Sequence, residues 1–268
     1  MEPNSIHSWQ DALSTKLGSA PSWSVHCLTK VGSTMDVAKE HLSEVSSEQP
    51  LIVLAREQDK GRGRLGSVWA QPESGLYATF AFKSPAQVNS LSGLSLVCGC
   101  VLREVFNNLG CETFLKWPND LLSGDGRKIS GVLIELAGQG DKTNVLIGIG
   151  VNLSGAPAGV SRTTSIQDLS GQSVTPVDLA ARIAPLLWFA WNKFLTGGFE
   201  LFREQWLGAA WRIGTQIEID TGSERISGIF EDVRPDGALL VRTSAGVLEP
   251  VVAGHVLPSH LDFERVLK

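Results

Sequence analysis

The chain has 268 residues, 43% hydrophobic and 19% charged, with a formal net charge of −5. That is the balance of a globular chain long enough to bury a core, and its acidity argues against a broad nucleic-acid surface. Its cysteines, Cys27, Cys98, Cys100 and Cys111, have no C-x-x-C spacing and no His/Cys cluster, so zinc is not expected and a reducing, cytoplasmic setting is.

The N-terminal MEPNSIHSWQDALSTKL lacks the basic start and apolar core of a signal peptide. No apolar stretch is expected to reach the roughly 18 residues of a membrane span. VGSTMDVAKE (31–40) reads as a Ser/Thr turn opening a helix, with hydroxyls and free N–H groups available. LIVLAREQ (51–58) reads as a buried strand and GLYATFAF (75–82) as another, rich in aromatic residues. The run from Ser90 has apolar residues at helical spacing and stops at Gly110, a C-terminal cap. ETFLKWPND is a short strand that breaks at Pro118. KISGVLIELAG and TNVLIGIGVNL, joined by the turn-like GQGDK, form an antiparallel hairpin. VDLAARIAPLLWFAWNKFL and FELFREQWLGAAW are helices with Trp and Leu stripes for a core. From about Trp211 onward TQIEID, RISGIFEDV, ALLVRT, VLEPVV and HVLP are short strands suited to a small β-barrel. These elements predict an α+β chain: residues 1–210 as a mixed β-sheet with packed helices, and 211–268 as a small barrel.

Between the first two strands lies GRGRLGSVW (61–69), which concentrates charge on a flexible backbone. Glycines let a backbone approach a ligand and aim N–H groups at an anion, and Arg62 and Arg64 add planar forks suited to phosphate or carboxylate. It is not a Walker loop, and with two arginines and no repeats it makes a poor nucleic-acid segment. It reads either as a solvated turn or as a loop that closes over a small anion. Lys116, Asn119 and Asp120 stand beside the Trp-Pro break, where ligand groups commonly sit, although Asn119 and Asp120 also suit turn-making. Lys128 and Gly131 open a strand, and Gly148 and Gly150 lie inside one, where glycine is costly unless something must come close.

GRGRLGSVW, KWPNDLL, KISGVLIE and IGIGVNL, in that order and at these separations, resemble the biotin protein ligase family. The resemblance runs from about Val31 to Asn152 and, more weakly, through the terminal strands. It implies the biotin–lipoate ligase fold, related to class II synthetases, with an SH3-like C-terminal barrel. It implies an ATP-dependent reaction in which biotin and ATP give biotinyl-5′-AMP, and biotin then passes to a lysine of a biotin carboxyl carrier domain, of acetyl-CoA carboxylase or a related enzyme. By resemblance Lys128 and Arg64 are catalytic: Lys128 holds carboxylate and α-phosphate together, and Arg64 belongs to the loop, with Gly61, Arg62 and Gly63, that folds over biotin and its adenylate. Ser33, Thr34, Met35 and Gln58 are expected at biotin, with Gly131, Gly148 and Gly150 as a backbone wall. Trp69, Lys116, Asn119, Asp120 and Asn152, with Arg64, are expected at ATP. Mg²⁺ is expected, its ligands unassigned.

Three positions depart from the family pattern. Ser67 removes a cation from the loop, Met35 stands where Asn is common, and His255 stands where a carboxylate is common. Only about 25 residues precede the matching region, too few for a DNA-binding domain of ordinary size, so operator binding is not expected; separately, neither a nucleic-acid nor a membrane partner is expected. A monomer and a homodimer both fit. The alternatives are a lipoate or octanoate protein ligase, which shares the fold and a comparable lysine, and a noncatalytic biotin- or nucleic-acid-binding protein.

Overall fold

In a computed structural model, residues 5–257 are described apart from 20, 47, 140–141 and 158. The chain runs α1 (Ile6–Leu17), β1 (Ser24–Val31), α2 (Thr34–His41), β2 (Leu51–Gln58), β3 (Ser74–Ser84), α3 (Leu94–Asn107), β4 (Thr113–Lys116), β5 (Asp120–Ser123), β6 (Lys128–Gln139), β7 (Lys142–Ser154), α4 (Ile166–Ser170), α5 (Pro176–Gly197) and α6 (Glu200–Leu207). Then follow β8 (Gln216–Asp220), β9 (Arg225–Val233), β10 (Leu239–Thr243), β11 (Leu248–Val251) and β12 (His255–Val256).

The first seven strands form one sheet in the order β1-β2-β3-β7-β6-β5-β4. Only β1 and β2 pair in parallel; the other neighbours are antiparallel, so the sheet is mixed as expected. β6 and β7 are the expected hairpin, although residues 140–141 of the turn lie outside the described residues. α1, β1, β5 and α4 lie outside the elements read from the sequence. α1 is capped by Ser5, whose hydroxyl accepts from Ser8 N–H at 3.2 Å, and β1 alternates only weakly, burying Val25 and Cys27.

Helix ends follow local chemistry. Ser33 caps α2, and Thr175 caps α5 with Pro176 at its first position. α3 starts later than expected, after Gly93, whose φ of 81° a side chain would resist, because residues 88–91 form a separate 3₁₀ turn. Gly110, at φ 77°, closes the C-terminal end as its sequence predicts. Contrary to the expectation above, Val88–Asn107 is long and apolar enough, by length and composition alone, for a membrane span. Its apolarity is accounted for by burial: Leu94, Leu96, Val97, Leu102 and Phe106 pack into the core against α5, α6 and the sheet. Cys98 and Cys100 are small buried hydrophobes there, and burial pushes the Cys100 thiol up to about 12.

The last five strands form an antiparallel sheet, β11-β10-β9-β8-β12, of SH3-like type. It is joined to the large sheet by one continuous core. Phe230 of β9 packs at 6.3 Å from Trp206 of α6, and Trp117 donates its indole N–H to Gly237 O at 3.0 Å. Backbone at 209–211 bonds to Leu115 of β4 on both its N–H and its C=O.

Candidate functional site

Side-chain alternation sorts the central strands into two faces. Ala78 and Phe80 of β3 and Ile147 and Ile149 of β7 enter the large core, whereas Ala81 and Leu146 join a smaller cluster beneath α2 with Met35, Ala38 and Leu42. Gly148 and Gly150 fall on the α2 side. A Cβ on Gly148 would meet Met35 Sδ at 2.8 Å, and one on Gly150 would meet the Trp69 indole at 2.5 Å. Gly131 of β6 faces the same indole, at 3.0 Å. The strand-interior glycines thus make room for the protein's own Met35 and Trp69, which stand against the wall expected to face a ligand.

At one end of this face lies a buried polar knot. Ser33 caps α2 by accepting from Met35 N–H at 3.3 Å. Thr34 donates both its backbone N–H, at 2.8 Å, and its hydroxyl, at 3.1 Å, to Gln58 Oε1, and itself accepts from Thr79 Oγ1 at 2.9 Å. Ser33, Thr34 and Thr79 are almost fully buried. Hydroxyls held this way are fixed in direction and ready to face a polar ligand. Tyr77 joins the rim, its phenol pushed up to about 12 by burial, so it remains an O–H donor.

Residues 61–69 are a small hairpin. Trp69 N–H donates to Gly61 O at 3.0 Å and Gly63 N–H to Ser67 O at 2.7 Å. The tip turns through Leu65 at φ 54° and Gly66 at φ 76°. Arg62 donates bidentately to Glu135 and to Asp36, and these partners hold its guanidinium above its ordinary pKa, Glu135 foremost. Arg64 reaches the other way, Nη1 donating to Gly254 O at 3.1 Å, and burial lowers its pKa. Leu65 and Val68 stay 80% exposed.

Lys128 opens β6. Its backbone bonds to Arg162 and Thr164, and its Nζ lies 2.6 Å from Asp120 Oδ1 and 5.3 Å from the centre of the Trp69 ring. Asn152, which is 1% exposed, donates to Thr164 O and Lys128 O, bracing that backbone from below. Asn119 donates to Val132 O at 2.8 Å and its own carbonyl accepts from Val132 N–H, the turn-making role the sequence also allowed.

A cavity of about 470 Å³ joins these pieces. Ser33, Thr34, Met35, Gln58, Arg62, Gly63, Arg64, Trp69, Asn119, Asp120, Lys128, Gly131, Gly148 and Gly150 all line it; Gly61, Lys116 and Asn152 do not. Sequence reasoning missed Tyr77, Val132, Leu133 and Ile149. Strand alternation beside the glycines was the available signal for Tyr77 and Leu133, whereas Val132 and Ile149 pair on the opposite, core-facing side. It left His255 without a role, yet His255 and Gly254 enter the lining from the small sheet. Burial first, then Lys116, lowers the His255 pKa, Lys128 and Arg64 acting the same way and Asp120 opposing. Among the described residues no group of three His, Cys, Asp or Glu converges as a metal site.

Residues 28–152 match the Biotin/lipoate A/B protein ligase family, and 213–257 match the Biotin protein ligase C terminal domain. The chain is 37% identical over 207 residues to the Paracoccus denitrificans biotin–[acetyl-CoA-carboxylase] ligase, covering 72% of this chain and 85% of that one. It is 30% identical over 247 residues to the bifunctional ligase/repressor BirA of Escherichia coli, covering 90% and 75%. The Aquifex aeolicus biotin protein ligase in complex with biotin and ATP superposes with TM-score 0.75 at 28% identity, covering 87% of this chain and 97% of that one. The Leishmania major biotin protein ligase in complex with biotinyl-5-AMP gives 0.61 at 26%, covering 86% and 99%.

Proposed function

This chain belongs to the biotin protein ligase family, and from that premise we propose its reaction: biotin and ATP give biotinyl-5′-AMP and pyrophosphate, and biotin then passes to a lysine of a biotin carboxyl carrier domain. Relatives named as biotin–[acetyl-CoA-carboxylase] ligases, and solved relatives holding biotin with ATP or biotinyl-5-AMP, support this reading. The supporting observation in this chain is the arrangement of one ammonium, Lys128, at a cavity that Ser33, Thr34 and Gln58 also line, with Thr79 fixing the Thr34 hydroxyl from behind.

In the first step a biotin carboxylate oxygen attacks the α-phosphorus, and the bond to pyrophosphate breaks. Both reactants are anions, so catalysis is largely positioning and charge compensation. Lys128 serves this by exchanging its bond to Asp120 for the carboxylate and α-phosphate oxygens. The buried hydroxyls at 33 and 34, the latter held by Thr79, orient biotin's polar ring. The Trp69 indole, lying on Gly131 and Gly150, shifts to lie along the adenine. In the second step the carrier's lysine amine attacks the carbonyl carbon, AMP leaves, and the amide forms with loss of a proton. The hairpin over the cavity keeps water from the anhydride meanwhile. Magnesium, which keeps few protein ligands and favours substrate phosphates, would need no protein cage here. Asp120 is the carboxylate of the lining that would hold it, and the ion's positive charge would compensate the pyrophosphate. A requirement for ATP and four unpaired buried cysteines suit the cytoplasm.

The test is pyrophosphate release by the purified chain with ATP and either biotin or lipoate, followed by transfer of label to a carrier domain. Biotin-dependent release and a biotinylated carrier are expected. Labelling with lipoate alone overturns the reading in favour of the lipoate alternative, and binding without pyrophosphate release overturns it in favour of a binding protein.

A further inference from the structure

We propose that Asp36 and Glu135 are positioning residues that act through Arg62 to hold the 61–69 hairpin over the cavity, so that the adenylate stays bound until an acceptor lysine arrives. This rests on the reading that the cavity makes biotinyl-adenylate.

The tip of the hairpin has little apolar hold, the hairpin's apolar anchor being Trp69 at the closing end, packed on Gly131 and Gly150. The tip residue Leu65 and the returning residue Val68 are both 80% exposed, so burial does not fix the tip's place. What fixes it is polar. Arg62 Nε donates to Glu135 Oε1 and Nη2 to Asp36 Oδ1, both at 2.8 Å, with second bonds of 3.3 and 3.1 Å to the remaining carboxylate oxygens. Four of the five guanidinium donors are thereby occupied in two bidentate forks, the strong geometry for such pairs. The two carboxylates come from elements that form the site itself. Asp36 lies in the first turn of α2, two residues past Thr34, and Glu135 lies on β6, four past Gly131. The clamp therefore ties the cover to both the polar knot and the floor. On the far side Arg64 is moored to Gly254 O of the small sheet, so the hairpin spans the cavity like a strap with two ends.

A single exposed ion pair contributes little. Here a doubly bidentate network is the larger of the segment's two polar moorings, so its loss shifts the segment's open population. Arg62 carries no free fork for the ligand while both carboxylates hold it, and Arg64 and Lys128 remain the cations available to the adenylate.

The experiment measures how fast labelled biotinyl-adenylate leaves the purified enzyme when chased with unlabelled biotin. The isosteric double variant Asp36→Asn/Glu135→Gln is expected to form adenylate and release it about tenfold faster, the scale of losing charge-assisted bonds. Label on lysines of an unrelated protein rises in parallel. Rising salt speeds release from the unmodified enzyme and much less from the double variant, because the restraint is ionic. Arg62→Gln by itself speeds release to a similar extent, since Arg62 is the group through which the two carboxylates act. Unchanged release in the double variant overturns the proposal, as does unchanged release in Arg62→Gln. Failure of the unmodified chain to make any adenylate overturns instead the ligase reading beneath it.

Discussion

The floor of the site and its cover are built by opposite means. The floor, β3, β6 and β7, is backbone-paired along its length and backed by fully buried Phe80, Ile147 and Val151. The cover, residues 61–69, is a short hairpin with exposed apolar tips, two polar moorings and a positive φ at Leu65. A region fixed by packing has one well-defined position and is expensive to alter. A region fixed by a few exchangeable polar bonds can move when an anion competes for them. Rigidity beneath and exchangeability above suit a site that must first orient a small molecule and then release it to a protein.

Substitutions can break this contrast if it is wrong. The largest effect is expected from Lys128→Ala, which removes the ammonium between floor and cover. Biotin-dependent pyrophosphate release falls by about 10²–10³-fold, the scale for a lost transition-state charge partner. Thermal unfolding moves little by comparison, since the Lys128 side chain is one-third exposed. Comparable loss of folding and activity would show instead that Lys128 is a structural strut.

Next come the floor glycines. Gly150→Ala forces the Trp69 ring away from a Cβ it would approach at 2.5 Å and costs about 1–3 kcal/mol in denaturant unfolding. Gly148→Ala meets the flexible end of Met35 and costs less. Equal costs at the two positions would mean that neither neighbour dictates them.

In the cover, Arg64→Gly is expected to leave stability within about 0.5 kcal/mol, as for a surface change. Adenylate then escapes and labels lysines indiscriminately, which is read by labelling an unrelated protein. Retained selectivity would show that the strap does not depend on its Gly254 mooring.

The smallest effect lies at the far end of α2. His26 stacks on His41 at 4.2 Å, and burial, with His41 behind it, lowers its pKa below the ordinary 6.5, Glu44 opposing. The unfolded chain therefore binds the proton more readily. Stability contributed here is present above the unfolded value and declines as pH falls through 6.5 toward the folded value. His26→Gln flattens that slope in urea titrations between pH 7.5 and 5; an unchanged slope would place the proton uptake elsewhere.

Much of this was legible in the chain itself. The apolar and aromatic runs of LIVLAREQ and GLYATFAF, the KISGVLIE–IGIGVNL hairpin and the punctuated strands after 211 follow from local pattern, because short runs of such residues bounded by turn signals suit strands. The motifs also carried most of the residues that line the cavity. What tertiary structure alone decided was partnership. Nothing local says that Arg62 reaches Glu135, 73 residues on, or that Arg64 reaches Gly254, 190 residues on. Nor does it say that glycines chosen for closeness face Trp69 and Met35, or that His255 turns into the cavity from a separate sheet. α1 and β1 were missed for a similar reason: their apolar residues are few, and burial against α5 and β2, not periodicity, holds them. Sequence determined which elements form and which chemistry they carry, since both are set by the residues' own backbone and side-chain preferences. Only the fold decided which charges meet, because contacts between distant residues depend on how the whole core closes.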